Sequence, residues 1–168
     1  LTLVDTVPLE QYLYAVVPSE MPKTWPGEAL KAQAVAARSY ALATLHPGAD
    51  FDLLPDQRDQ MYGGIDAERP STNLAIGSTA GEVLTYRGRV ITAYYHSSSG
   101  GRTSSVHDAW PKAAQVPYLV SVRDPFDAIS PHHVWPTELL TPEQAAAKLG
   151  VRAVRDMVVL RNSSDRAR

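Results

Sequence analysis

One carboxylate stands apart in this sequence of 168 residues. Glu20 lies in the run Val16-Val-Pro-Ser-Glu-Met-Pro22, among apolar residues and prolines. A carboxyl group in such a setting is poorly hydrated. Its pKa then tends upward, which suits a general acid at neutral pH. Downstream come Lys31, Gln33, Arg38 and Tyr40. Lys31 and Arg38 are two helical turns apart and share nearly one face. Lys31 reads as part of a solvated basic face. Arg38 has two open readings, a structural ion pair or a role near the site. A second polar cluster is His96-Ser-Ser-Ser-Gly-Gly-Arg-Thr103, with Asp108 beyond it. It is not Gly-x-Ser-x-Gly and shows no strand-to-helix elbow, so a serine nucleophile is the weaker reading. The histidines form no His-x-x-x-His pair, and most read as surface or hydrogen-bonded side chains.

The elements that must position these groups follow from the punctuation. Leu1 to Val7 alternates and reads as a strand ended by Pro8. Leu9 to Val17 reads as a short helix, and Pro18 to Pro26 as a loop holding Glu20. Pro26 and Glu28 then open a long helix, with Leu30, Ala34, Ala37, Ala41 and Leu45 on one apolar face and Pro47-Gly48 as its stop. So many alanines predict a close-packed neighbour. Asp50 to Gly64 is a loop. A short helix is expected around Asn73 to Ile76. Glu82 to Tyr86 and Arg89 to Tyr95 read as strands about an Arg87-Gly88 hairpin turn. Leu139 to Gly150 reads as a helix, with Thr141 as N-cap, Pro142 in the first turn and Gly150 at the end. Asp156 to Leu160 reads as a last strand. The fold class expected is α+β, a single mixed domain over 1–168, with the long Ala-rich helix packed on short, mainly antiparallel strands.

Bulk properties narrow the class. The length suffices for one domain with a core. The net charge of −2 offers no basic stripe for nucleic acid, and no run is long enough for a membrane span. Cysteine is absent, which excludes disulfides and thiol chemistry and fits an exported bacterial protein.

Three segments carry a resemblance: LEQYL at Leu9 to Leu13, VVPSEM at Val16 to Met21, and EALKAQAVAARSY at Glu28 to Tyr40. Gln60-x-Tyr62-x-Gly64 adds a fourth. The strand VITAYY running into HSSSGGRT adds a fifth, continued by Val106 to Trp110 and Pro117-Tyr118-Leu119. Together they resemble the SpoIID/LytB family of bacterial sporulation and cell-wall proteins.

The resemblance implies a peptidoglycan lytic transglycosylase acting outside the cytoplasm, at the wall or surface of a bacterium. Its catalytic acid would be Glu20. It would cut between N-acetylmuramic acid and N-acetylglucosamine and leave a 1,6-anhydro end, on strands stripped of stem peptides. Ordinary glycosidases use two carboxylates; one isolated Glu agrees with a single-acid scheme. Substrate contacts are expected from Arg38, Gln60, Tyr62, Tyr94, His96, Ser97, Ser99, Gly100, Gly101 and Thr103. Serine hydroxyls and loop N–H groups suit sugar hydroxyls and acetamido groups. Tyr62, Tyr94, Tyr95, Trp110 and Tyr118 are groove or core, and the neighbours Tyr94 and Tyr95 point to opposite faces of a strand. Some relatives hold zinc through cysteines and a histidine in the loop before Gln60. Here that loop has Leu54, Arg58 and Asp59, so no metal and no cofactor is expected. The alternative is a non-catalytic wall-binding module that enhances a cell-wall amidase. The family pattern, which continues with further sheet, also leads us to expect a chain trimmed at both ends from a longer protein.

Overall fold

The computed structural model describes residues 3–46 and 48–162. The fold class is α+β, helices with a small antiparallel hairpin. Two compact units divide it, Leu1–Tyr95 and His96–Arg168.

The first unit is built on three helices. α1 spans Leu9–Glu20, α2 Gly27–Thr44 and α3 Pro70–Ser78. Their core is Leu13, Val16, Val17, Ala34, Ala37 and Ile76, all fully buried. Alanine at seven of the 18 positions of α2 lets the neighbouring helices approach closely, as the sequence predicts. Leu30, Ala34, Ala37 and Ala41 are buried, whereas Leu45 falls past the helix end and is exposed. Pro26 precedes the helix as N-cap rather than entering its first turn. Pro47, half of the expected stop, lies outside the described residues.

α1 is longer than the sequence suggests. It runs through Pro18 to Glu20. A proline lacks one N–H and usually ends a helix. Here the last turn is held by other bonds. The Ser19 hydroxyl donates to the Ala15 carbonyl at 2.7 Å, and Met21 N–H donates to the Val17 carbonyl at 3.0 Å. Glu20 therefore ends a helix rather than sitting in a loop.

Arg38 locks the helices together. Its side chain is 1% exposed. Nε and Nη2 donate to the two Glu10 carboxylate oxygens at 2.8 and 2.7 Å. Nη1 donates to the Glu82 carbonyl at 3.1 Å and Nη2 to the Ile76 carbonyl at 3.3 Å. One guanidinium thus ties α1 to α2, to the buried part of α3 and to the chain entering the hairpin. β1 (Thr85–Tyr86) and β2 (Arg89–Val90) form that hairpin, with Thr85 opposite Val90. Its turn residues Arg87 and Gly88 both have positive φ, 51° and 76°, the geometry of a two-residue hairpin turn. The strands are shorter than expected, although Ile91 N–H still reaches the Leu84 carbonyl at 3.0 Å.

Residues 3–7 belong to no strand among the described residues, and Leu3 is 94% exposed; Leu1 and Thr2, the start of the expected strand, lie outside the described residues. Residues 156–160 behave the same way, with Val158 75% exposed. Among the described residues no partner strand pairs with either run, so neither forms the expected strand there.

The second unit is loop-rich. It contains α4 (Val106–Ala109), a 3-10 turn over Asp127–Ile129, and α5 (Pro142–Leu149). α5 has the predicted ends. Thr141 and Gln144 form a reciprocal capping box, and Gly150 closes the helix at φ 66°. No helix among the described residues is long and apolar enough to cross a membrane.

Candidate active site

Glu20 projects from the last turn of α1 and is half-buried. Its Oε1 accepts the Met61 backbone N–H at 2.7 Å. The segment carrying Met61 passes the end of α1. Gly63 N–H donates to the Ala15 carbonyl at 3.3 Å, and Tyr62 N–H to the Pro55 carbonyl at 3.3 Å. Glycine at 63 lets the segment pass this close without displacing a neighbour. A Cβ there would lie 2.6 Å from Ala67 Cβ and 2.8 Å from Ser19 Oγ. The helix end fixes the Glu20 backbone, and the crossing segment fixes its carboxylate. Arg38, read from the sequence as a structural ion pair or a group near the site, pairs with Glu10.

A wall of phenols faces the carboxylate. Gln60 organises it from beneath, 1% exposed. The Tyr12 hydroxyl donates to Gln60 Oε1 at 3.2 Å. Gln60 Nε2 donates to the Tyr95 oxygen at 3.0 Å and to the Ala37 carbonyl at 3.3 Å. Burial is the main cause that pushes the Tyr12 and Tyr95 phenols well above their ordinary range, and the Glu20 charge pushes the same way. Tyr95 is also raised through hydrogen bonding with Glu20. Burial raises Tyr40 too, with Asp59, Tyr94 and Glu20 adding to it. All three phenols therefore stay protonated, with the Glu20 carboxylate near each of them and that of Asp59 near Tyr12 and Tyr40. Such an arrangement can steady a carboxylate, orient hydroxyl groups of a ligand and pass protons.

The other expected residues of this unit fall into place unequally. Tyr62 stacks on Tyr12 at 5.4 Å between centroids and 10° between planes, and its hydroxyl donates to Asp5 at 2.8 Å. Tyr94 is 48% exposed and meets Tyr40 edge-on at 5.8 Å, while Tyr95 faces inward. That settles which of the two aromatic neighbours lies by Glu20. Gln60 supports the phenols and has no exposed surface for a ligand. Arg38 is a structural anchor: its guanidinium is buried and committed to Glu10 and two carbonyls, so its expected substrate contact gives way to the ion-pair reading. Lys31 pairs with Glu28 at 2.7 Å on the exposed face, as the solvated reading has it.

In the second unit, His96 and Ser97 are exposed. Ser99 is 2% exposed and acts as a loop strut. Its hydroxyl donates to Asp124 at 2.9 Å and accepts from Gly101 N–H at 3.1 Å, and its N–H donates to Asp127 at 2.6 Å. Gly100 and Gly101 hold positive φ values of 63° and 91°, which is why the loop has glycine there. Thr103 Oγ1 accepts from Val122 N–H at 2.9 Å. The Ser98 hydroxyl donates to Asp127 Oδ1 at 2.8 Å, while His133 Nδ1 sits on Oδ2. The carboxylate stands between hydroxyl and imidazole, so serine and base do not meet and no nucleophilic triad is built. The His133 bond, followed by those from Ser98 and Ser99, holds Asp127 far below the usual carboxylate range. Among the described residues no three His, Cys, Asp or Glu side chains converge as metal ligands.

The family model described as Stage II sporulation protein matches residues 1–86, slightly more than half of the chain and the whole helical part of the first unit. The chain belongs to the SpoIID family. It is 36% identical over 166 residues to a Stage II sporulation protein D of Bacillus subtilis (strain 168), covering 89% of this chain and 48% of that protein. It is 42% identical over 116 residues to an Amidase enhancer of the same organism, covering 68% of this chain and 15% of that protein. A third relative, an uncharacterized protein of Brachyspira hyodysenteriae, is 38% identical over 123 residues, 71% of this chain and 33% of its own length. The chain thus spans half or less of the relatives it matches.

Several residues that shape this SpoIID chain are absent from the sequence reading. Tyr12, Val16 and Glu20 fall at i, i+4 and i+8, a signal that exists once α1 is carried through Pro18. Glu10 as the partner of Arg38, and Asp127 with His133 behind the serine loop, are joined only by tertiary contact. Nothing local marks them.

Proposed function

We propose that this chain is a lytic transglycosylase of peptidoglycan glycan strands, acting at the bacterial wall with Glu20 as acid and then base. The observation that carries this reading is the Glu20 carboxylate, held by the Met61 N–H and lying among protonated phenols. With Oε1 occupied, Oε2 is the oxygen to carry the proton. Protonated Glu20 donates it to the glycosidic oxygen, and the bond from the muramic C1 breaks. The resulting carboxylate then takes the proton of the muramic 6-hydroxyl as that oxygen bonds to C1. The sugar closes to the 1,6-anhydro form, and no water is consumed. Tyr95 and Tyr40 offer hydroxyls that steady Glu20 in its charged half of the cycle. In the second unit, His96, Ser97, Gly100, Gly101 and Thr103 are assigned to glycan binding, as is Tyr94 in the first.

A second reading rests on the relative named Amidase enhancer. In it the same surface holds glycan while a cell-wall amidase cuts. Purified glycan strands, incubated with the chain and resolved by mass spectrometry, separate the two. The first reading predicts anhydro-muramoyl ends. Intact strands, with measurable binding and a faster added amidase, would install the second.

A further inference from the structure

Asp127 and His133 form a carboxylate–imidazole pair with no assigned role. Both lie in one braced turn of the second unit. Ser130 N–H donates to the Asp127 carbonyl at 2.8 Å, and His133 N–H donates to the Ser130 carbonyl at 3.1 Å. The Asp127 side chain is 3% exposed. Besides His133 Nδ1, its carboxylate accepts the Ser98 hydroxyl at 2.8 Å and the Ser99 N–H at 2.6 Å. The same stretch is tied to the serine loop again by Asp124, whose N–H donates to the Gly101 carbonyl at 2.9 Å.

This setting decides the chemistry of the ring. With His133 as the main cause, Asp127 is held far below the usual carboxylate range. It is therefore ionised at neutral pH and can only accept, so Nδ1 carries the proton between them. In the neutral ring the other nitrogen, Nε2, is then an acceptor with a fixed direction. Nε2 has no hydrogen-bond partner among the described residues. It reaches solvent, the side chain being 31% exposed. The ring also lies against the glycine turn. A Cβ on Gly101 would stand 3.7 Å from His133 Cε1, the carbon bonded to Nε2. An unpaired, oriented acceptor thus opens beside Gly101. Brace and acceptor are separate atoms of one ring: bracing the loop uses Nδ1 alone. The same stretch exposes two aromatic rings, Phe126 at 77% and Trp135 at 79%, and such faces suit the apolar faces of pyranose rings.

We infer that His133, oriented by Asp127, is a sugar-binding residue of the second unit, whose Nε2 accepts a hydroxyl or acetamido N–H of a glycan lying along the Gly100-Gly101 turn. The assignment rests on glycan binding, which the transglycosylase and the wall-binding readings share. Asp127 is the positioning residue. Its charge keeps the proton on Nδ1 and so keeps the lone pair on the side that meets the ligand. An asparagine at 127 could donate to Nδ1 instead, which would move the ring proton to Nε2 and turn the acceptor into a donor.

The test combines nitrogen NMR of the His133 ring with binding by the parent chain, His133→Asn and Asp127→Asn. The ligands are purified peptidoglycan glycan strands and glucose oligomers of similar length. His133→Asn keeps an amide N–H where Nδ1–H stands and has no atom at Nε2. It should leave amide exchange at Ser99 and Gly101 at the parent's rate and weaken the strands about fivefold, the loss of one hydrogen bond. In the parent the ring proton should be on Nδ1, and the Nε2 resonance should shift as strands are added. In Asp127→Asn the proton should be on Nε2. A loss on both ligands makes the donor a ring hydroxyl, and a loss on the strands alone makes it the acetamido N–H; either supports the assignment. A His133→Asn chain that binds strands as the parent does would overturn it. So would a parent ring protonated on Nε2, or an Nε2 resonance unmoved by saturating strands, both read without any variant having to fold. A parent chain that binds no strands would bring down the glycan reading and the assignment with it.

Discussion

Glu10→Gln is the sharpest test of how this fold is held. The substitution keeps the size of the side chain and removes its charge. Arg38 then remains buried at 1% exposure with two neutral carbonyls and one amide oxygen as acceptors. Breaking a buried ion pair from one side costs about 3–5 kcal/mol. Glu10 is 34% exposed, so water screens part of the interaction and the lower end, about 3 kcal/mol, applies. For a chain of this length each kcal/mol lowers Tm by about 2–4 °C, so a fall of about 6–12 °C is expected. The effect has a pH signature. The Arg38 hydrogen bond, with its charge, lowers Glu10 from its ordinary value of 4.5. The stabilisation is therefore complete above that value and is lost as pH falls through the lower folded-state value. Urea unfolding at pH 7 and at pH 3 reads both terms. The gap between parent and Glu10→Gln should be large at pH 7 and narrower at pH 3. A variant within about 0.5 kcal/mol of the parent at pH 7, the range of an ordinary surface change, would refute the anchoring role.

Gly63→Ala should destabilise by about 1–3 kcal/mol, because its Cβ must displace Ala67 or Ser19. The shift also moves Met61 away from Glu20, so glycan cleavage should fall more than stability explains; a variant equal to the parent in urea unfolding and in cleavage rate would remove glycine's assigned reason. Asp127→Asn should loosen the serine loop, read as faster amide exchange at Ser99 and Gly101 at pH 7. Since Asp127 is held below its ordinary 3.8, the parent's own protection should be intact above that pH and decline as pH falls below it. Unchanged exchange in the variant would show that the glycines and Asp124 hold the loop alone.

What the sequence made legible is what local chemistry decides. Alanine spacing gave α2 and its buried face; Thr141, Pro142 and Gly150 gave both ends of α5; Arg87-Gly88 gave the hairpin. The misread elements depend on distant partners. The apolar residues of 3–7 and 156–160 make a strand only where another strand pairs with them. Pro18 signals a break, but Ser19 and Met21 supply the bonds that carry α1 to Glu20. At the site, the motif pointed to Glu20, Gln60 and Tyr62. It did not show that Arg38 turns away to Glu10, nor that Gln60 works by holding Tyr12 and Tyr95. Those pairings span dozens of residues and leave no periodic trace.

The central claim is that Glu20 moves the proton. Glu20→Gln preserves the Oε1 acceptor for Met61 N–H and deletes the exchangeable proton. Anhydro-muramoyl ends released per minute from peptide-free glycan strands, with strand binding measured alongside, test it directly. The account predicts a rate at least about 10²–10⁴-fold lower with binding near that of the parent. A variant that releases anhydro ends at the parent's rate would contradict it.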